Sequence, residues 1–343
     1  MRKKIVSGIG LLLCSTCTLF AAENQQVSAL DLHGQPMTTQ AQRHTTFGPV
    51  LCDESGSTYL RYTPQEGSAF SAGITRIDSK GAVTTIPIGA LPELKGTKYL
   101  FAFAVGSDGS LYEILRSAHD EKGNPAKVYY AHFAKDGTTL ITKAAFDIDY
   151  VPYALVPLPT GDFFAAGVLM KHQDTKVQRE PLAGIFSSNA RLKRALPNEG
   201  LVPTSEAERN QGLVDPAMQG GVARLGGDGS IYILLDTKPA KLRVVTPEGQ
   251  ALQELTLEGP FPNASPTSMV LSGNRMVVQY YREDNDPQNA FAVVAYDLRT
   301  GATERVYRPT FRGLFIGLEG DSVRVLMQQK SVGVLAIGTA NLD

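Results

Sequence analysis

The sequence predicts an all-β protein, a six-bladed β-propeller with N-terminal strands closing the last blade. Three observations predict it. Two kinds of polar turn alternate along the chain, each kind recurs six times at a spacing of about 53 residues, and helical periodicity is almost absent. A propeller blade has four strands, so two tight hairpins per blade fit the alternation.

The first kind of turn is clearest in Gly226-Gly227-Asp228-Gly229-Ser230-Ile231-Tyr232-Ile233, repeated as Gly106-Ser107-Asp108-Gly109-Ser110-Leu111-Tyr112-Glu113. An Asp-Gly corner supplies a left-handed residue, and an apolar and aromatic strand follows. Looser copies centre on Gly56, Gly161, Gly273 and Gly320. The second kind runs an apolar strand into a polar corner and leaves through a Thr- or Val-rich strand, with corners at Gly34, Gly81, Gly137, Asn189, Gly249 and Gly301. The two series alternate without exception. The first corner belongs to the second kind and the last to the first kind, so the chain starts partway through a blade. Val27 to Thr39 is therefore expected to complete the blade that Phe315 to Gln328 begins, removing an open sheet edge. Val332 to Ile337 also reads as a strand, so either it or Val27 to Leu30 is an extra edge strand.

The first residues form a separate unit. Met1-Arg2-Lys3-Lys4 is basic, Ile5 to Phe20 is largely apolar, and Ala21-Ala22 is a small-residue cleavage point. Residues 1–22 are expected to be an export signal and residues 23–343 a single propeller domain, placing the mature protein in the periplasm or outside the cell. The apolar run is shorter than a bilayer span, so no membrane-spanning segment is expected after cleavage. Cleavage removes three cations and takes the formal charge from −1 to about −4, which gives no attraction for nucleic acid. Of Cys14, Cys17 and Cys52 only Cys52 remains, so no internal disulfide is expected, and its apolar setting reads as a small buried side chain.

The alternating Asp-Gly hairpins resemble those of six-bladed propellers of the NHL-repeat, lactonase-like and TolB-like kind, over nearly the whole mature chain. Such propellers include hydrolases, lyases, ligand binders and protein scaffolds, so the resemblance implies a fold more than an activity. For lactonase-like members it implies a divalent metal held by acidic and Asn side chains at the central channel. No residue of this chain is matched to those ligands.

Both tight turns of a blade lie at one end of it. The other end carries longer and more varied connections, including the interval at about 171–181 and the outlying stretch Pro197 to Gly220, where Ser205-Glu206-Ala207-Glu208 fits a helix-capping box. Residues opening the innermost strands converge there: His44, Tyr99, Asp149, Tyr153, Asp215 and Arg312 are the candidate ligand-binding set at the channel mouth. Acids, a guanidinium, an imidazole and aromatic faces suit a polar organic ligand such as a sugar or peptide. His44, His119 and His172 have no close ligand spacing, and Glu283-Asp284-Asn285-Asp286 lacks the glycine and distal Glu of a calcium loop, so neither a metal nor a cofactor is expected. No nucleophile elbow, phosphate-cradling loop or paired metal motif occurs. The sequence reads as a ligand- or protein-binding module whose partner is a protein, peptide or glycan. The alternative is a propeller hydrolase or lyase acting on a small molecule or glycan at the channel mouth.

Overall fold

In the computed structural model, the residues described are 27–40, 50–62, 73–86, 97–117, 127–173, 176–200, 223–262, 264–281, 291–311, 313–328 and 334–343. The expected leader, the capping box at 205–208 and the acidic run at 283–286 lie outside them. Two strands precede the blades, β1 (Val27–Leu30) and β2 (Leu32–Gln40). Blade one is β3 (Leu51–Cys52), β4 (Thr58–Tyr62), β5 (Gly73–Ile77) and β6 (Val83–Ile86). Blade two is β7 (Thr97–Val105), β8 (Leu111–Ser117), β9 (Val128–Phe133) and β10 (Leu140–Ala145). Blade three is β11 (Tyr150–Pro157), β12 (Phe163–Gln173), β13 (Lys176–Phe186) and β14 (Leu192–Leu196). Blade four is β15 (Ala223–Leu225), β16 (Ile231–Leu235), β17 (Ala240–Val245) and β18 (Ala251–Leu257). Blade five is β19 (Ser265–Ser272), β20 (Arg275–Tyr281), β21 (Phe291–Asp297) and β22 (Thr303–Pro309). Blade six is β23 (Leu314–Glu319), β24 (Ser322–Gln328) and β25 (Val334–Asn341), with β2 as its outer strand.

The innermost strands touch in the order β3, β7, β11, β15, β19, β23 and back to β3. The ring is therefore closed, and its core is divided into six clusters, one between each pair of neighbouring blades. The middle strands bury both faces against adjacent blades, which is why Phe163, Ala165 and Phe164, Ala166 can all be fully buried. The richest interface joins blades two and three, where Tyr130 stacks on Phe163 with ring centroids 4.2 Å apart and Phe163 stacks on Phe186 at 5.5 Å.

The chain ends settle which strand is extra. β2 pairs antiparallel with β25 and closes the last blade as expected. β1 instead pairs parallel with β22, adding a fifth strand to blade five, and Val334–Asn341 is the third strand of blade six. The corner expected at Gly34 is thus not a hairpin. One residue, Asp31, separates β1 in one blade from β2 in the next, and Gly34 sits in an irregularity of β2 where the register shifts between His33 and Met37.

The other corner glycines named above have positive φ, from 54° at Gly273 to 88° at Gly81. In blade three the left-handed residue is not Asn189 but its neighbour Ala190, at φ 57°. Ala190 is fully buried in the cluster between blades two and three, and its amide donates to the Ser187 carbonyl at 2.8 Å to close the turn.

Candidate functional site

The two ends of the ring are built differently. At the turn end, connections within blades run two to six residues, as at 53–57, 106–110, 226–230 and 273–274. Their aspartates are structural. Asp108 accepts the Ser110 hydroxyl at 2.6 Å and amide at 2.9 Å, and these bonds hold its carboxyl below the usual range. Burial works to raise Asp228, but the Ser230 amide (3.0 Å) and the Tyr232 hydroxyl (3.0 Å) outweigh it and hold it low. Asp136 takes the Thr139 hydroxyl and amide and the Thr138 amide, which bring it to about 2.

At the open end the intervals between strands range from the two residues 174–175 to the long stretch 197–222. The first part of that stretch is anchored between blades three and four. Arg243 donates to the Pro197 carbonyl at 2.6 Å, Asn198 donates to the Pro181 carbonyl at 2.6 Å, and Asp236 N–H donates to the Gly200 carbonyl at 2.9 Å.

The interval read from sequence as a connection at 171–181 is instead strand on both sides of 174–175. β12 and β13 have 11 residues each and pair without a break from Phe163↔Phe186 to Gln173↔Lys176. The second strands of the other blades have at most 7 residues, so this hairpin outruns them by about 13 Å at a rise of about 3.3 Å per residue. An exposed ion pair, Lys171 Nζ to Glu180 at 2.6 Å, ties its two strands.

Of the six residues expected at the channel mouth, His44, Asp215 and Arg312 lie outside the described residues. Tyr99 is near the start of β7, in register with Arg116. Asp149 directly precedes β11, and its carbonyl accepts Met170 N–H from β12 at 2.7 Å. Tyr153 is in β11 but only 4% exposed, within the cluster between blades three and four, and burial drives its hydroxyl well above the usual range. The structure therefore brings the backbones of Tyr99, Asp149 and Tyr153 to two neighbouring inner strands, which touch, while Tyr153 faces a core.

Among the described residues the inner strands do not gather acidic and Asn side chains into a cation site of the lactonase-like kind. Near the turn end, the inner strands carry Leu51, Ala104, Val156, Arg224, Val270 and Gly317, in register with Tyr59, Tyr112, Phe164, Tyr232, Val277 and Arg324. Of these six inner residues only Arg224 is charged, and burial pulls its guanidinium down to about 10 against the opposing influence of Cys52. Among the described residues no three His, Cys, Asp or Glu side chains are grouped to hold a metal. Cys52 contacts Thr58 Oγ1 at 3.6 Å, and burial pushes its thiol up, away from a reactive thiolate.

One ionisable residue was passed over in the sequence. Glu113 in β8 is fully buried toward blade one, in register with Phe103 and Ala131, and neither carboxyl oxygen has a hydrogen-bond partner. Burial alone drives its carboxyl well above the usual range, which favours the neutral acid form. The matching positions of the other blades are Leu60, Ala165, Ile233, Val278 and Val325, all buried and apolar. The signal was a charge inside an apolar strand at a place where every other copy has none.

No protein-family model matches the chain, and no curated protein matches it. Among solved structures it is similar to a protein of unknown function from Dyadobacter fermentans, with 11% identity, a TM-score of 0.52 and coverage of 93% of this chain and 99% of that one. It is also similar to YCF48 bound to D1 peptide (10% identity, TM-score 0.42, 91% and 97% covered) and to the polysaccharide lyase Uly1 (12% identity, TM-score 0.44, 88% and 78% covered). At such identities the likeness is one of fold, and the six-bladed β-propeller is defined by this chain's own six sheets and closed ring. Among the described residues no helix is long and apolar enough to cross a membrane.

Proposed function

We propose that the protein is an exported binding module whose partner, a protein, peptide or glycan, is engaged at the open end of the ring. The contrast between the ends carries this reading. A closed ring with near-uniform turns on one side fixes the strands between which, on the other, connections vary from 2 residues to more than 20, together with the blade-three hairpin whose strands have 11 residues each. Variation placed on a rigid scaffold is where recognition is built. The basic and apolar N-terminal stretch ending at Ala21-Ala22 supports export. His44, Asp149, Asp215 and Arg312 supply the opposite charges that orient a polar ligand at the mouth.

The test is a screen of the immobilised mature protein on glycan and peptide arrays, followed by titration of the tightest probe against Asp215→Ala and Arg312→Ala. The expected result is normal melting for both variants with binding weakened at least about tenfold. Unchanged affinity in both variants contradicts an open-end site. N-terminal sequencing of exported material should find a start near Ala22 or Glu23.

A further inference from the structure

The interfaces between blades differ in one repeated contact at the turn end, where the outer strand of one blade reaches the corner of the next. Three of these contacts are hydrogen bonds. Thr39 donates to the Gly81 carbonyl at 2.9 Å and Gln253 to the Arg299 carbonyl at 3.1 Å. Arg305 donates at 3.3 Å to the carbonyl of Leu342, which follows β25 where the corner of blade six would stand.

Between blades three and four the reaching side chain is Arg194, and the bond is not made. The corner residue Gly249 has a φ of 80°, and a Cβ on it would stand 3.0 Å from both Arg194 Cδ and Leu196 Cδ2, so the arginine stem lies on the corner backbone. The guanidinium beyond it is exposed and has no hydrogen bond or ion pair among the described residues. The same holds for the Glu248 carboxylate on the corner itself. In place of the bond there is a groove of about 650 Å³ with Ile185 and Pro247 on its wall. Lys193 is already paired with Asp162 at 2.6 Å on the groove's edge, so the uncompensated charges are one cation and one anion.

We propose that this groove is a second binding site, for a small zwitterion of the dipeptide class. The Arg194 guanidinium takes the terminal carboxylate in two parallel hydrogen bonds, the Glu248 carboxylate takes the terminal ammonium, and Ile185 and Pro247 contact the intervening side chains. The groove volume falls in the range of small-molecule sites, about 300–1,000 Å³. The site is independent of the open-end reading, because it lies at the opposite end of the blades and uses none of the same residues.

The experiment is calorimetric titration of the full mature chain with the dipeptide Ala-Leu, its N-acetyl form and its C-terminal amide. Sub-millimolar affinity is expected for the free dipeptide, with a loss of tenfold or more in Arg194→Gln and in Glu248→Gln. The acetylated peptide should lose the same factor on the wild type and be indifferent to Glu248→Gln. The amide should be indifferent to Arg194→Gln. Gln253→Ala, which removes the contact at the next interface, should leave affinity unchanged. The proposal is overturned if wild type that melts normally gives no heat at about 10 mM dipeptide. It is equally overturned if blocked and free peptides bind alike, or if Gln253→Ala weakens binding as much as Arg194→Gln.

Discussion

The two ends of the ring spend their residues differently. At the turn end, aspartates such as Asp108, Asp136 and Asp228 accept amide and hydroxyl hydrogen bonds within their own turns, and glycines take backbone conformations that other residues avoid. At the open end, the described polar groups tie one connection to another element: Asn198 to Pro181, Asp236 to Gly200, Lys238 to Ala264 and Ser265. The first end fixes the blades and leaves little freedom to vary. The second can change length and composition without altering the hairpins. Outside the groove at Arg194 and Glu248, substitutions at the turn end should therefore act on stability, and those at the open end on binding.

The largest expected effect is at the turn end. Gly249→Val places a β-branched side chain at positive φ and against Arg194, Leu196 and Ile185, at a cost of about 3 kcal/mol. Thermal melting should fall by several degrees, and dipeptide binding in the adjoining groove should be lost with it. An unchanged melting temperature would break the claim that the corners are conformationally committed.

The next effect lies in the wall between the ends. Glu113→Leu copies the residue that blade one has at the matching position and removes a buried carboxyl without a partner, for a gain of about 2 kcal/mol at pH 8. Arg61 and Arg76 on the facing blade and Lys143 on β10 are the cations on this interface, yet burial is the only cause acting on the Glu113 carboxyl. Because the folded-state pKa is raised above the ordinary 4.5, the unfolded chain releases this proton first. Wild-type stability from this group is fully present below about 4.5 and is lost progressively as pH rises toward the folded value. The variant should therefore gain more at pH 8 than at pH 5, as measured by urea unfolding. An equal gain at both pH values would show that Glu113 is not neutral in the fold.

A smaller loss, about 1 kcal/mol, is expected for Asp228→Ala, which removes the acceptor of Ser230 N–H and Tyr232 O–H. Its folded-state pKa is lowered, so the sign is opposite to that of Glu113. The contribution is present above the ordinary 3.8 and is lost as pH falls through the folded value. The difference between wild type and variant should shrink on acidification below pH 4. The smallest effect belongs to the open end: Lys171→Ala breaks an exposed pair and should change stability by less than about 0.5 kcal/mol. A larger loss would mean that the long hairpin of blade three helps to hold the ring.

Most of the ring was legible in the sequence because turn chemistry is local. An Asp-Gly corner declares itself within five residues wherever it falls, and six such corners alternating with a second kind determine blade number and strand order. The misreadings occur where local chemistry is shared by different structures. Leu30-Asp31-Leu32-His33-Gly34 has the composition of a corner, but there the chain steps from blade five to blade six. The 171–181 interval has the polarity of a loop because the ribbon it forms projects past the other blades, away from the apolar faces that make a strand alternate. Of the candidate site, Asp149 and Tyr153 fall near the start of an inner strand as the periodicity implied, but sequence could not tell that Tyr153 turns into a core. The groove at Arg194 and Glu248 was invisible, since its two charges are 54 positions apart and meet only because blades three and four are neighbours.

The division of labour between the ends is tested most directly by hydrogen exchange on the mature protein, with and without the tightest probe from the arrays. New protection is expected in peptides covering the open-end parts of β7, β11, β12 and β13, including residues 168–181, and none at the turns 106–110 and 226–230. Protection confined to those turns, with the open end unchanged, would contradict it.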